Sequence, residues 1–188
     1  MIRLLLVAAA FVLAFPAAAA SWDLDTLMLA LSRNKVSRAT FVEKKYMAML
    51  DSPVTSSGEL LFTAPDRLER RTLKPRSESA VLEGGTMTLA RGQRQMVLRL
   101  DEYPAIAALT ESLRGTLAGD RTALERHYTL KVEGDPSRWS LLLVPKEPRI
   151  RAFVLQIRID GERGDVRTVE IEQSDKDRSV MTIQKAAP

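Results

Sequence analysis

The chain has no cysteine and a single histidine, His127, among 188 residues. Disulfides, thiolate metal sites and cysteine nucleophiles are therefore excluded, and one histidine cannot furnish a serine triad together with a nitrogen-rich zinc site. Aromatic residues make up only 5%, too little bulk to fill a wide core. No glycine-rich phosphate loop occurs. The carboxylate pairs Asp101-Glu102 and Asp175 with Asp177 sit in turn-like, charged stretches and read as solvated loops. His127, at the start of a strand beside Tyr128, reads as structural or solvated. Enzymatic chemistry has little to work with, and no metal or organic cofactor is expected.

A long apolar run is also missing. The stretch from Leu4 to Phe15 falls short of the roughly 20 residues that a membrane-spanning helix needs. It follows Arg3 and precedes Pro16 and Ala18-Ala19-Ala20, the order of a secretory signal, so residues 1–20 are expected to be cleaved and residues 21–188 to form one exported domain. No cysteine follows for lipid attachment. Without Arg3 the formal charge of +4 becomes +3, with 28 basic and 24 acidic side chains in the whole chain. In an exported protein this mild basicity suits anionic membrane surfaces or an acidic partner rather than nucleic acid.

What is present is pattern. Leu24, Leu27, Met28 and Leu31 recur at helical spacing, with Ser21 or Asp23 as N-cap and Asn34 as a stop. From about Ala39 the period becomes two. Strands are expected around Phe41, Glu43 and Lys45, at Leu60 and Phe62, at Leu68, Arg70 and Thr72, and over 79–82, 86–90 and 95–100. Turn residues separate them at Ser56 to Gly58, Pro65-Asp66, Pro75, Gly84-Gly85 and Gly92. A helix then interrupts, with Pro104 in its first turn, Ile106, Leu109, Leu113 and Leu117 on one stripe, and Gly119 as its end. A short helix over 121–126 follows. Strands resume over 128–133, 139–144, 151–159, 166–173 and 179–184. Ten or eleven strands with two or three helices give an α+β class: one large antiparallel sheet with helices against one face.

Within this order, "ATFVEKK", "SSGELLFTAPDRLER", "KPRSESAVLEGGTMTL" and the run from Trp139 to Ile183 resemble the LolA family of periplasmic outer-membrane lipoprotein carriers, over nearly the whole mature chain. The resemblance implies an incomplete barrel, a single curved antiparallel sheet whose helices form a lid over an apolar cavity for acyl chains. It implies a periplasmic, monomeric carrier that takes a lipoprotein or other acylated molecule from an inner-membrane donor to an outer-membrane acceptor. A lipid- or lipoprotein-sensing regulatory module of the same fold is the alternative. Expected cavity residues are Leu60, Phe62, Leu68, Met87, Leu89, Met96, Leu98, Ile106, Leu109, Leu113, Trp139, Leu141, Phe153 and Leu155. Arg67, Arg70, Arg71 and Lys74 are expected on the rim or outer face, meeting an anionic headgroup or an acidic partner. Three departures from the family pattern stand out: Ala64 matches the family's Arg before Pro, Arg70 matches an aromatic, and Glu43 matches a Gln. If that family Arg holds the lid shut, Ala64 removes the latch, and Arg70 is the expected substitute.

Overall fold

Apolar alternation yields strands, and turn residues set their lengths, in the computed structural model, which describes residues 22–186. The secretory signal read at residues 1–20 lies outside them. Helix α1 (Leu24–Ser32) starts at Asp23, whose carboxylate accepts from the Thr26 amide at 2.9 Å, and it buries Leu27, Met28 and Leu31. Asn34 lies one residue past the Arg33 C-cap, and its amide donates to the Gly164 carbonyl at 2.6 Å.

Six strands follow as a meander: β1 (Val36–Tyr46), β2 (Val54–Thr63), β3 (Arg67–Lys74), β4 (Glu78–Glu83), β5 (Thr86–Arg91) and β6 (Arg94–Arg99). A 3-10 turn (Leu100–Glu102) leads into helices α2 (Pro104–Ala118) and α3 (Arg121–His127). The chain then forms β7 (Tyr128–Asp135), β8 (Arg138–Pro145), α4 (Pro148–Arg151), β9 (Val154–Glu162), β10 (Asp165–Gln173) and β11 (Arg178–Lys185). All eleven strands join one antiparallel sheet in the order β6-β5-β4-β3-β2-β1-β11-β10-β9-β8-β7. Pairing of β1 with β11, Phe41 opposite Ile183, welds the two meanders together. The sheet does not close, because β6 and β7 remain its edges.

The packed core occupies the second meander. Trp139, Leu141, Leu143, Ile157, Ile159 and Val169 are buried there against Leu27, Leu31, Leu124, Tyr128 and Ile150 of the helical layer and its junctions. Trp139 and Leu141, expected to line the cavity, are core residues, 1% and 0% exposed. The reason is local. Trp139 lies over Gly161, where an added Cβ would come within 2.2 Å of the indole, and its Nε1 donates to the Arg163 carbonyl at 3.0 Å.

The expected strand over 151–159 starts late. Pro148 opens the short helix α4, so β9 begins only at Val154, and its pairing with β10 shifts register at Gln173. That irregularity leaves Phe153 and Leu155 62% and 49% exposed, although they share the parity of the buried Ile157 and Ile159.

Burial pushes the Tyr128 phenol up to about 12. The nearby Ser112 hydroxyl opposes that rise, but it donates to the Leu109 carbonyl and no group meets the Tyr128 hydroxyl in good hydrogen-bond geometry. A buried polar group without a partner costs about 1–3 kcal/mol. Tyr128→Phe should consequently leave the melting temperature unchanged or raise it; a fall of several degrees would reveal a hydrogen bond that this packing lacks.

Candidate functional site

Strand register lays out the concave face. Across β1, β2, β3, β4, β5 and β6 one row runs Ala39, Leu60, Arg70, Ala80, Leu89, Met96, and the next runs Ser37, Phe62, Leu68, Leu82, Met87, Leu98. Directly paired residues share a face, so this surface is apolar apart from Arg70 and the serine. Gly58 permits it to curve: the β2–β3 register shifts beside it, and a Cβ there would sit 1.9 Å from the Arg71 carbonyl oxygen.

Helix α2 covers this face in an unexpected way. Its fully buried residues are Ala108, Ser112, Gly115 and Thr116. Gly115 lets α3 approach, since a Cβ would meet Leu124 Cδ2 at 2.9 Å. Small residues thus form the fully buried face, and the stripe Ile106, Leu109, Leu113, Leu117 is left only half-buried, with Leu109 and Leu113 touching the core by part of their surface.

That stripe borders open space. Leu113 and Leu117 face Leu60, Leu68, Val166, Met181 and Ile183 across a cavity of about 100 Å³, which Arg70 also lines. A second space of about 60 Å³, reaching Leu31 and Phe62, shares Leu60, Leu68 and Leu117 with it. One and two turns nearer the start of α2, Leu109 and Ile106 line an open groove of about 1060 Å³ with Tyr103 and Phe153. The stripe thus runs about 16 Å from groove to cavity. An engineered apolar cavity of ~150 Å³ holds a benzene, so the enclosed part accepts a long acyl chain only if α2 moves outward.

Of the residues expected to form the cavity, Leu60, Phe62, Leu68 and Leu113 are brought together, while Ile106, Leu109 and Phe153 line the groove. Met87, Leu89, Met96 and Leu98 continue the concave face to the open edge, where Met96 is 52% exposed. Leu155 lies on neither. On the rim, Arg67 pairs with Glu83 at 2.5 Å and Arg71 reaches Glu69 at 3.8 Å, both substantially exposed, and Lys74 is exposed at the end of β3.

Arg70 departs from that set. It points inward, its guanidinium 4.5 Å from the Phe41 ring centroid, and its Nη2 donates to Glu43 at 2.5 Å and to the Ser56 hydroxyl at 3.3 Å. The Ser179 hydroxyl donates to the other Glu43 oxygen. Burial pushes the Glu43 carboxyl up, but the Ser179 hydrogen bond, the charge and hydrogen bond of Arg70 and the Ser56 contact together hold it below its ordinary 4.5. A lowered carboxyl stabilises the fold above the ordinary value and loses that contribution as pH falls through the lowered one. Thermal melts should therefore show a stability loss setting in below pH 4.5 that Glu43→Gln largely lacks; identical acid profiles would refute the link.

Sequence reasoning missed Arg114. On α2 it holds Glu111 in two contacts of 2.5 and 2.9 Å, and its Nη1 donates to the Pro65 carbonyl at 3.2 Å, tying the helix to the β2–β3 turn next to Ala64. Nothing in the local pattern distinguishes it from a surface i,i+3 pair. His127 is surface-bound to Glu147 at 3.1 Å. Among the described residues no cluster of His, Asp and Glu could hold a metal ion, and no helix is long and apolar enough to cross a membrane.

Solved structures match this chain at low identity. A DUF1329 family protein from Desulfovibrio piger superposes with a TM-score of 0.51 at 12% identity, covering 86% of this chain and 88% of that one. A LolA superfamily protein from Nitrosomonas europaea gives 0.44 at 10%, covering 86% and 92%. A putative outer membrane lipoprotein-sorting protein domain from Vibrio parahaemolyticus gives 0.46 at 11%, covering 87% and 91%. No curated protein matches in sequence. The family model described as outer membrane lipoprotein carrier protein LolA-like matches residues 16–187, and the chain belongs to that family.

Proposed function

We propose that this protein is an extracytoplasmic carrier that shelters the acyl chains of a lipoprotein or another acylated molecule between α2 and the concave sheet. One observation carries the reading: the fully buried face of α2 is alanine, serine, glycine and threonine, and its half-buried Ile/Leu stripe borders a cavity and a groove. A helix that served only to cover a core would bury its leucines. Exposing an acyl chain to water costs ~0.8 kcal/mol per methylene, so about sixteen carbons require shelter worth on the order of 10 kcal/mol. Aliphatic walls supply this without catalytic groups.

Membership of the carrier family supports delivery from an inner-membrane donor to an outer-membrane acceptor across the periplasm. The test is native mass spectrometry and lipid extraction on protein purified from its own cell envelope, followed by transfer of the extracted molecule between donor and acceptor vesicles. An acylated adduct whose transfer is accelerated by the protein is expected. Purely unliganded protein that binds no acylated molecule overturns the reading, and binding without accelerated transfer overturns delivery.

A further inference from the structure

Arg70 is the one charged side chain lining the cavity of about 100 Å³, and its charge is already matched; in the adjoining space Lys185 and Asp165 pair with each other at 2.6 Å. Glu43 meets its Nη2 from two strands away, at 2.5 Å, with side-chain exposures of 31% for Arg70 and 17% for Glu43. Ser56 and Ser179 complete the carboxylate's contacts, and Phe41 backs the guanidinium. A guanidinium carries five N–H donors. Only those on Nη2 are engaged, by Glu43 and Ser56. The Nε and Nη1 donors have no protein acceptor among the described residues.

The site therefore offers hydrogen-bond donors without offering net charge. From this geometry we infer that the Glu43–Arg70 pair is a charge filter, admitting acyl chains whose polar end is an uncharged ester or amide carbonyl and rejecting chains that end in a free carboxylate. The inference rests on the carrier reading above. A carbonyl accepts from the spare guanidinium N–H groups and leaves the ion pair intact. A carboxylate must shed far more water than an ester to enter this apolar, half-dry site, and a guanidinium whose charge Glu43 already matches repays less of that cost than a free one would. An arginine without Glu43 would select the opposite ligand, because its cation would then be free to pair. A pair that served only to join β1, β2, β3 and β11 would not discriminate between the two.

Fluorescence titration of the full mature chain at neutral pH with parinaric acid and with its methyl ester tests this, because the two probes share one hydrocarbon chain. The wild type is expected to bind the ester about tenfold more tightly or better, a difference of about 1.4 kcal/mol. Glu43→Gln, with native circular dichroism, is expected to narrow or reverse that ratio by strengthening acid binding. Arg70→Gln is expected to weaken ester binding without admitting the acid, and it decides the matter if Glu43→Gln fails to fold. Equal binding of acid and ester by the wild type, an unchanged ratio in folded Glu43→Gln, or undiminished ester binding by Arg70→Gln each overturns the filter while leaving the carrier reading standing. Failure of the wild type to bind either probe overturns both.

Discussion

Replacing Leu113 and Leu117 together with glutamate is expected to abolish binding of an acylated fluorescent probe while circular dichroism stays native. Both side chains are half-buried and border the cavity, while the fully buried face of α2 is Ala108, Ser112, Gly115 and Thr116. Leu113 touches the core with part of its surface, so the variant keeps most of the helix packing and circular dichroism checks the rest. An occupied cavity would bury two carboxylates against an acyl chain, at a cost of several kcal/mol, which puts the loss of affinity at about a hundred-fold or more. The unliganded protein feels less of this, since both positions are only half-buried. Phe62→Glu is a poorer test: Phe62 is 2% exposed, so a charge there would damage folding as well as binding. Retained affinity in the double variant would place the ligand elsewhere and remove the main support for a carrier.

The same helix shows where sequence reading stops. Its limits were legible, because Pro104 and Gly119 punctuate them and the leucines recur at helical spacing. Which face it buries was not, because ranking by hydrophobicity favours leucine, whereas close approach to Leu124 favours Gly115. Alternation on β3 correctly puts Leu68, Arg70 and Thr72 on one face. Placing Arg70 on the rim followed the general exposure of charged residues and failed because its partner Glu43 sits on β1, with β2 between them. Only the registers of two strand pairs reveal that the arginine's reach spans this gap. Leu155 was misread for a third reason: the β9–β10 register shifts beside it, so the parity it shares with the buried Ile157 and Ile159 does not carry inward. Long strands and their turns can be read from periodicity. Side-chain partners across non-neighbouring strands cannot.

Arg114→Met is expected to loosen the lid and shorten the lifetime of bound cargo. In this chain Ala64 stands where the resemblance places an arginine, and the polar tie between helix and turn is made from the other side, by Arg114 donating to the Pro65 carbonyl. Glu111 steadies the guanidinium with two contacts, and its side chain and that of Arg114 are only 20% and 18% exposed. Arg70 lines the cavity wall opposite Leu113 and bonds within the sheet, so it acts on the ligand rather than on the helix. An exposed hydrogen bond from a charged donor contributes about 0.5–1.5 kcal/mol, and methionine retains much of the arginine's apolar stem. Loss of the tie should then shift the balance toward the open lid by roughly two- to tenfold. Stopped-flow release of a bound acyl probe into vesicles should be faster by a similar factor in Arg114→Met, and amide exchange across α2 should accelerate. Arg71→Met, on the outer face of β3, should change neither. Equal release rates in wild type and Arg114→Met would show that packing of the small-residue face alone holds α2 closed.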